Sequence, residues 1–256
     1  MIKLQNIFKS FQGKKVLDGV SLEIFPGETF VILGPSGCGK SVLLKSLIGL
    51  VKPDRGKVYI EGEEISGYNE TQLIPVRKKI SMLFQNSALF DSMNVGDNVA
   101  FPLRQHTKMS EAAILARVQE KLELVGLDDV EELFPSELSG GMRKRVALAR
   151  AISLDPKIIL YDEPTTGLDP IMVTIIDELN KKLRRELGVT SVVVTHEISS
   201  AWRIADRLAV LYNGQVRQVG SAAQIRESKD LLVQQFIHGS LNGPIETLYG
   251  NEPSHG

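Results

Sequence analysis

The chain contains 256 residues, of which 43% are hydrophobic and 24% are charged, with a formal net charge of -1 at pH 7. This length suffices for one sizeable core, and the near-neutral charge excludes a general electrostatic attraction to nucleic acid or anionic membranes. Cys38 is the only cysteine, which excludes an intrachain disulfide, and the charged N-terminal sequence lacks the apolar core of a signal peptide. We therefore expect a cytosolic protein that associates with membranes only through a partner.

The first third of the chain is predicted to be mainly β-sheet. Short runs with alternating apolar residues predict strands in IKLQNIF, VLDGVSLEI and ETFVIL, with turns at Gly13 and at Pro26-Gly27-Glu28. Helical spacing then extends from Ser41 to Leu50, and further strands are predicted in KVYIEG and KKISMLF.

The segment from about Gln85 to Asp155 contains almost no strand signal. Its clearest element is a helix that Ser110 opens and Gly126 ends, with leucines and a valine at intervals of three and four. We therefore predict a helical insert over residues 86–155.

Strands and helices alternate again after this insert. The chain continues with a strand in KIILYDEP, a helix in IMVTIIDELNKKLRREL, a strand in TSVVVTH, a helix in EISSAWRIAD and a strand pair in RLAVLYNG and QVRQVG. This order is typical of an α/β core with a mainly parallel sheet. Residues 221–256 contain two short helical patterns and then a stretch without periodicity.

A glycine-rich loop is the strongest local signal for chemistry. It follows the apolar run FVIL, precedes a predicted helix and fits the pattern GxxxxGK[ST]. In such a loop, backbone N–H groups surround the β- and γ-phosphates, the lysine contacts phosphate oxygens and the serine supplies a magnesium ligand. A plain glycine turn is the less favoured alternative, because the strand and helix on either side fit the motif. The predicted nucleotide-binding residues are Gly34, Pro35, Ser36, Gly37, Cys38, Gly39, Lys40 and Ser41.

Two carboxylates follow a second apolar run, in the sequence IILYDEPTTGLDP. Asp162 ends the predicted strand, the position from which a Walker B aspartate holds magnesium directly or through water. Glu163 follows where the chain turns, so it could accept a proton from the water that attacks the γ-phosphate. A solvated strand end is the alternative, which the phosphate-binding loop upstream makes unfavourable.

The sequence LSGGM offers a second set of phosphate-binding groups. Ser139, Gly140 and Gly141 precede a helix and present a hydroxyl and N–H groups, but no lysine. SGG alone is weak evidence, because any helix start uses these residues. With the two motifs before it, however, the chain resembles the nucleotide-binding subunit of an ABC transporter. In that family this signature motif closes over ATP held by the phosphate-binding loop of a second subunit.

This resemblance covers nearly the whole chain and implies an α/β fold. The implied architecture is a P-loop NTPase (RecA-like) core with an N-terminal antiparallel β subdomain and an inserted α-helical subdomain. It assigns residues 1–85 and 156–220 to the ATP-binding core, 86–155 to the helical signature subdomain and 221–256 to a C-terminal extension. The implied activity is hydrolysis of ATP with Mg²⁺ by a homodimer.

Further residues take roles from the resemblance where they match its motifs. Phe11 falls where the family places an aromatic ring against adenine, although tyrosine is commoner there and a core phenylalanine is the alternative. Gln85 matches the Q-loop glutamine, Asp169 matches the D-loop that packs across the dimer, and His196 matches the histidine that hydrogen-bonds the γ-phosphate. The implied catalytic residues are Lys40, Gln85, Glu163 and His196, and the implied magnesium ligands are Ser41, Gln85 and Asp162.

Basic residues also follow the signature, namely Arg143, Lys144, Arg145 and Arg150. Their spacing goes around the helix rather than along one stripe, which argues against nucleic-acid binding. We expect a solvated face or local ion pairs.

A narrower resemblance indicates the transport system. The sequences SMLFQNSALFDSMNVGDNVAFPLR, PSELSGGM and VQQFIHGSLNGPIETLY are similar to those of the MlaF family, the ATPases of Mla/Mce-type phospholipid transport between inner and outer membranes. This implies a MlaE-like membrane permease and an Mce-domain lipid-binding protein, with the ATPase peripheral on the cytoplasmic face of the inner membrane. Whether a small regulatory subunit binds the helical insert is left open.

The same resemblance gives roles to two apolar segments. Leu89, Phe90, Met93 and Val95 are expected to line a groove for a permease helix, with a place in the core of the helical subdomain as the alternative. The tail from Phe236 to Tyr249 resembles a C-terminal extension that reaches the partner ATPase, whereas its composition alone indicates disorder.

Three other functions are alternatives to phospholipid transport. An ABC ATPase for a small solute such as an amino acid shares every catalytic motif, and only the segment around Gln85 and the tail argue against it. An ABC protein acting on DNA or the ribosome would be expected to carry two cassettes, a long coiled coil or zinc-site cysteines, which this sequence lacks. A non-catalytic nucleotide-binding module would be expected to lack Glu163 or His196.

Overall fold

The computed structural model describes residues 1–246 of the chain. The chain folds into two units: Met1–Ile24, Thr29–Ser66 and the residues from Val194 onward form the first, and Phe25–Glu28 and Gly67–Val193 form the second. No helix in the described residues is long and apolar enough to cross a membrane. The predicted core, helical subdomain and C-terminal extension have boundaries near residues 85, 155 and 220, which differ from the boundaries of these units. That assignment follows expected function, and it stays a prediction.

The described residues form strands and helices with the following bounds. The strands are β1 (Ile2–Phe11), β2 (Lys14–Ile24), β3 (Thr29–Leu33), β4 (Arg55–Ile60), β5 (Glu63–Glu64), β6 (Ile80–Leu83), β7 (Ile158–Asp162), β8 (Thr190–Thr195), β9 (Arg207–Tyr212) and β10 (Gln215–Gly220). The helices are α1 (Lys40–Ser46), α2 (Glu70–Arg77), α3 (Val95–His106), α4 (Glu111–Leu124), α5 (Gly140–Ile152), α6 (Pro170–Leu187), α7 (Ile198–Ile204), α8 (Ala222–Arg226) and α9 (Leu231–His238). A short 3-10 helix spans Pro135–Glu137.

The first unit contains an antiparallel sheet with the strand order β2-β1-β4-β5. The register places Ile2 of β1 opposite Ile24 of β2 and Ile60 of β4, and all three side chains are buried. Because side chains alternate between the two faces of a strand, this register brings the apolar residues of each strand to the same face. The strands predicted in the first third of the chain therefore include the antiparallel part of the fold.

β3, β9 and β10 also belong to the first unit. β3 runs parallel to β9, with Phe30 opposite Arg207, and β10 pairs with β9 in the antiparallel direction. Every residue of β3 is buried, as expected for a parallel strand that is covered on both faces. Burying unpaired polar atoms in such an interior costs free energy. The predicted phosphate-binding residues accordingly begin after the last residue of β3, at Gly34.

The second unit contains the parallel pair β6 and β7, and β8 lies next to β7. β7 is buried along its whole length from Ile158 to Asp162. Apolar residues drive the burial of this strand, and its last residue is a charged one. The strand therefore fixes the position of Asp162 through the packing of the residues before it.

α3, α4 and α5 pack against one another in the second unit, and α5 also packs against β6. Each helix begins after a residue whose side chain accepts a hydrogen bond from a backbone N–H three residues on: Asn94, Ser110 and Ser139. Gly126, in a left-handed conformation, follows the end of α4. The predicted boundaries of α4 are thus confirmed.

Helix α1 is shorter than its sequence spacing predicts. It ends at Ser46 rather than Leu50, because Gly49 takes a left-handed conformation with a φ of 67°. The N–H of Leu50 then donates to the carbonyl of Lys45 at 3.0 Å, which closes the helix.

The chain after α9 folds back onto the buried side chain of Gln235. Its amide nitrogen donates to the carbonyls of Ser240 (3.2 Å) and Ile245 (2.9 Å), and its amide oxygen accepts from the N–H of Ile245 (2.6 Å). These bonds order a segment whose composition alone indicates disorder. The predicted contact of this tail with a partner falls partly on residues 247–256, which lie outside the described residues, and stays a prediction.

A buried lysine fastens α4 to the turn after α5. Lys121 is 1% exposed, and its ammonium lies 2.9 Å from Asp155 and 3.0 Å from Glu120. Asp155 is more exposed and also pairs with Arg117. The buried member of this cluster is therefore the cation, and the carboxylates around it face solvent.

This asymmetry predicts unequal effects of removing the two partners. Asp155→Asn should lower the free energy of unfolding by about 1–3 kcal/mol, because a buried ammonium loses a carboxylate. Lys121→Met should cost about 1 kcal/mol or less, because an apolar side chain fills the same space and Asp155 keeps Arg117 and water. Urea unfolding of both variants measures the difference, and a larger loss for Lys121→Met would contradict this account.

Candidate functional site

The loop between β3 and α1 contains the predicted phosphate-binding residues. Lys40 is only 5% exposed, and its ammonium donates to the carbonyls of Gly34 (2.8 Å) and Pro35 (3.0 Å). The lysine therefore lies over the loop that precedes it. Ser36 and Gly37 are exposed at the tip of the loop, so their backbone N–H groups are accessible to an anion.

Close packing determines where this loop requires glycine. A Cβ at Gly34 would lie 2.2 Å from the carbonyl oxygen of Leu211, and one at Gly39 would lie 2.8 Å from the carbonyl oxygen of Val16. Gly39 also has a φ of 106°, a backbone conformation that residues other than glycine rarely adopt. The two glycines are therefore needed for the path of the backbone.

His196 follows β8 in the first unit and is exposed. The preceding residue, Thr195, accepts a hydrogen bond from the N–H of Gly34 through its carbonyl (3.3 Å) and from the N–H of Glu197 through its hydroxyl (2.9 Å). These bonds fix the backbone on both sides of the histidine. The backbone at His196 is thus held next to the start of the loop predicted to bind phosphate.

Phe11 lies at the end of β1 with 45% of its surface exposed. The ammonium of Lys9 lies 5.2 Å from the centre of its ring, a distance at which a cation and a ring attract each other. The ring is therefore part of the surface rather than of the core. Its predicted contact with adenine stays a prediction.

Asp162 and Glu163 are both buried in the second unit. Glu163 takes a φ of 49°, so the chain turns sharply at the residue predicted to act as general base. The hydroxyl of Thr166 donates to its carboxylate at 3.4 Å, and the N–H of Thr166 donates to its carbonyl at 3.3 Å. The turn thus positions a buried carboxylate immediately after the strand that ends at Asp162.

Ser139 caps the helix that carries the signature motif. Its hydroxyl oxygen accepts from the N–H of Met142 at 3.2 Å, while the side chain stays exposed. A hydroxyl that accepts in this way keeps its own hydrogen for donation. The signature can therefore present both a hydroxyl donor and the N–H groups of Gly140 and Gly141 to an anion.

Asp169 lies beside the signature in the second unit. Its carboxylate caps α6 by accepting from the N–H groups of Ile171 (3.0 Å) and Met172 (3.1 Å). A Cβ at Gly141 would lie 2.1 Å from the methyl group of Met172, so these two helix starts pack closely. The predicted D-loop and signature residues form one continuous region.

Gln85 is exposed in the loop that follows β6. Its carbonyl accepts a hydrogen bond from the ammonium of Lys144, which is 5% exposed, and Arg150 donates to the carbonyls of the next loop residues, Ser87 and Ala88. The expectation of a solvated basic face or local ion pairs is therefore wrong for these two cations. Lys144 shares a face with the buried residues Gly141 and Leu148, a spacing that could have indicated its burial.

A sequence model of the family described as ABC transporter matches residues 17–166, more than half of the chain. The chain belongs to the ABC transporter family. It is 44% identical over 244 residues to the probable ribonucleotide transport ATP-binding protein mkl of Mycobacterium leprae, which covers 95% of this chain and 70% of that protein. It is also 41% identical over 249 residues to the intermembrane phospholipid transport system ATP-binding protein MlaF of Haemophilus influenzae, covering 97% of this chain and 94% of that protein.

Similarity to a solved structure also places this chain among the ATP-binding cassettes. The dimeric post-hydrolysis state of the ATP-binding cassette MJ0796 bound to ADP and Pi superposes with a TM-score of 0.81 at 36% identity, covering 86% of this chain and 98% of that one. The predicted ABC ATPase fold is therefore confirmed, and the chain is a nucleotide-binding ATPase subunit of the ABC type. The roles of individual residues stay predictions.

Proposed function

We propose that this ABC ATPase powers phospholipid transport between the inner and outer membranes and so maintains outer-membrane lipid asymmetry. The observation that carries the proposal is 41% identity to MlaF of Haemophilus influenzae over nearly the full length of both proteins. The proposed partners are a MlaE-like permease and an Mce-domain lipid-binding protein. The proposed location is the cytoplasmic face of the inner membrane, reached through the permease.

Ribonucleotide transport is the second candidate. The protein mkl of Mycobacterium leprae is slightly more similar, at 44% identity, but this chain spans only 70% of its length. The fuller match to MlaF favours phospholipid. A small solute such as an amino acid remains the alternative that the catalytic motifs alone do not separate from phospholipid.

A groove in the second unit supports a membrane partner. It has a volume of about 290 Å³ and is lined largely by apolar side chains, including Met82, Phe84, Phe90 and Phe101. Of the four residues expected to line a groove for a permease helix, Phe90 lines this one, Leu89 and Met93 do not, and Val95 is fully buried in the core. We propose that a permease helix occupies this groove.

We propose that hydrolysis occurs at two composite sites in a homodimer. Lys40 binds phosphate oxygens, and the oxygen atoms of Ser41, Gln85 and Asp162 are of the type that holds Mg²⁺. Magnesium, when bound, would neutralise charge on the β- and γ-phosphates. The partner subunit completes each site with Ser139, Gly140 and Gly141 and packs against it through the D-loop aspartate, Asp169.

The proposed chemical step is the attack of water on the γ-phosphorus of ATP. Glu163 accepts a proton from the water as its oxygen bonds to phosphorus, and the bond from phosphorus to the β-phosphate oxygen breaks to give ADP and phosphate. Gln85 orients the water, and His196 hydrogen-bonds the γ-phosphate. Phe11 stacks on adenine. Loss of the γ-phosphate then removes the group that joined the two subunits.

Co-purification tests the transport assignment. The full-length chain, affinity-tagged and extracted from detergent-solubilised membranes, should bring down a permease and an Mce-domain protein together with bound phospholipid, identified by mass spectrometry. Phospholipid should also raise the ATPase rate of this complex more than ribonucleotides or amino acids do. Recovery of a solute-binding protein without lipid, or stimulation by ribonucleotides alone, would contradict phospholipid transport.

Glu163→Gln tests the general base and the dimer together. The amide has the same shape but cannot take up the proton, so kcat should fall by about 10²- to 10⁴-fold while ATP still binds. With Mg-ATP the variant should accumulate as a dimer in light scattering, and with ADP it should not. Wild-type turnover would contradict the role of Glu163. A variant that stays monomeric at saturating ATP both in isolation and in the presence of the permease would contradict the composite site.

Substitutions of Ser139 separate its two roles. Ser139→Asp keeps a helix cap and should retain stability, whereas Ser139→Ala should lose about 1 kcal/mol. Activity should follow the opposite order, because aspartate brings negative charge to the γ-phosphate and alanine only removes a donor. Thermal unfolding and kcat measure the two effects. Parallel losses of stability and activity would mean that Ser139 acts only as a cap.

A further inference from the structure

The loop after β6 has an unusual backbone that α5 holds in place. Ser87 and Ala88 are consecutive residues in the left-handed region, with φ of 62° and 50°. Residues other than glycine adopt this conformation rarely and at an energetic cost, so surrounding contacts must stabilise it. Arg150 provides such contacts, because its guanidinium donates to the carbonyls of Ser87 and Ala88, both at 2.8 Å.

Lys144 holds the residue at the start of this loop. Lys144 lies one helical turn after the signature glycines, and its ammonium donates to the carbonyl of Gln85. Burial lowers the pKa of this ammonium, and the nearby carboxylates of Asp162 and Glu163 oppose that shift. The hydrogen bond to the carbonyl of Gln85 is therefore made by a buried cation.

A neutral side chain could fill the same space at a lower desolvation cost than either cation. Both cations direct their hydrogen bonds to carbonyls of residues 85–88 rather than to solvent. These contacts fix the backbone of the loop without using the side chain of Gln85. The exposed side-chain amide of Gln85 is thereby left available for contact with a ligand.

We propose that Lys144 and Arg150 are positioning residues for Gln85, which hold its backbone at a fixed place relative to the helix that carries the signature motif. Ser139 caps the same helix. This inference rests on the proposed role of Gln85 in hydrolysis.

The main test is a double-mutant cycle in the full-length chain with Mg-ATP, both alone and in its membrane complex. Lys144→Met should lower kcat by about 10- to 100-fold, because misplacement of a water-orienting group by an ångström has effects of this size. The KM for ATP should change less than kcat, by no more than about twofold, since Lys40 and the glycine-rich loop proposed to bind the phosphates are unchanged. In a Gln85→Ala background, the same substitution should change kcat by less than about twofold.

Arg145→Met is the matched control. Arg145 lies next to Lys144 on α5 and also donates to a backbone carbonyl, that of Gly126, in a loop without a predicted catalytic residue. Its loss should leave kcat near the wild-type value. Lys144→Arg should restore most of the activity, because a guanidinium can still donate to the carbonyl of Gln85. Arg150→Lys keeps the charge but cannot hold both carbonyls as a fork does, so an intermediate loss is expected.

The outcomes distinguish this inference from the proposed function. An equal loss of kcat on Lys144→Met in the presence and absence of Gln85, or an equal loss in Arg145→Met, would overturn the positioning role while leaving hydrolysis at the composite site intact. Unchanged kcat in Gln85→Ala would overturn both the proposed role of Gln85 in hydrolysis and the positioning role that rests on it. If Lys144→Met does not fold, as judged by circular dichroism, wild-type kcat in Arg150→Lys would still overturn the inference.

Discussion

Complete burial of short strands is the constraint on which the functional residues depend. β3 and β7 are buried at every position, so the side chains before Asp162 in β7 and those of Phe30 to Leu33 in β3 serve packing. Chemistry is confined to the residues that end or follow them, and each of these begins a sharp turn. Gly34 leaves β3 where a Cβ would strike a backbone carbonyl, and Glu163 leaves β7 in a left-handed conformation. Packing of the residues before them thus determines the positions of the predicted site residues.

The position of Gln85 likewise depends on its surroundings, because side chains outside its loop stabilise the loop backbone. The loop has no strand or helix of its own to stabilise its strained residues, and it relies on two cations from α5 and on the buried amide of Asn98, which bonds the carbonyls of Phe90 and Met93. Hydrogen bonds to backbone carbonyls specify a loop path whatever the loop side chains are. This leaves Gln85 exposed while its backbone is fixed, which is the combination that a group orienting water requires.

The sequence predicted those parts of the fold in which one residue type has one physical use. Glycines at fixed spacing followed by lysine identify the phosphate-binding loop, Ser110 identifies the start of α4, and continuous apolar runs identify β3 and β7. It did not predict α2, which contains Pro75, or the end of α1 at Ser46. Lys144 and Arg150 were misassigned for a different reason. A long cationic side chain serves equally on a surface or against buried carbonyls, and only the fold decides which.

The two motifs proposed to bind phosphate differ in charge, and this difference would explain why one chain carries both. Lys40 and its loop offer a full positive charge together with backbone N–H groups, whereas Ser139 to Gly141 offer only neutral donors. Each neutral hydrogen bond contributes about 0.5–1.5 kcal/mol net, too little to hold a nucleotide alone but enough to add to one already bound. In the proposed homodimer the signature therefore engages only ATP that the other subunit holds. Because two such contacts form in one closure, dimerisation depends on both nucleotides, and losing the γ-phosphate from either weakens the whole interface.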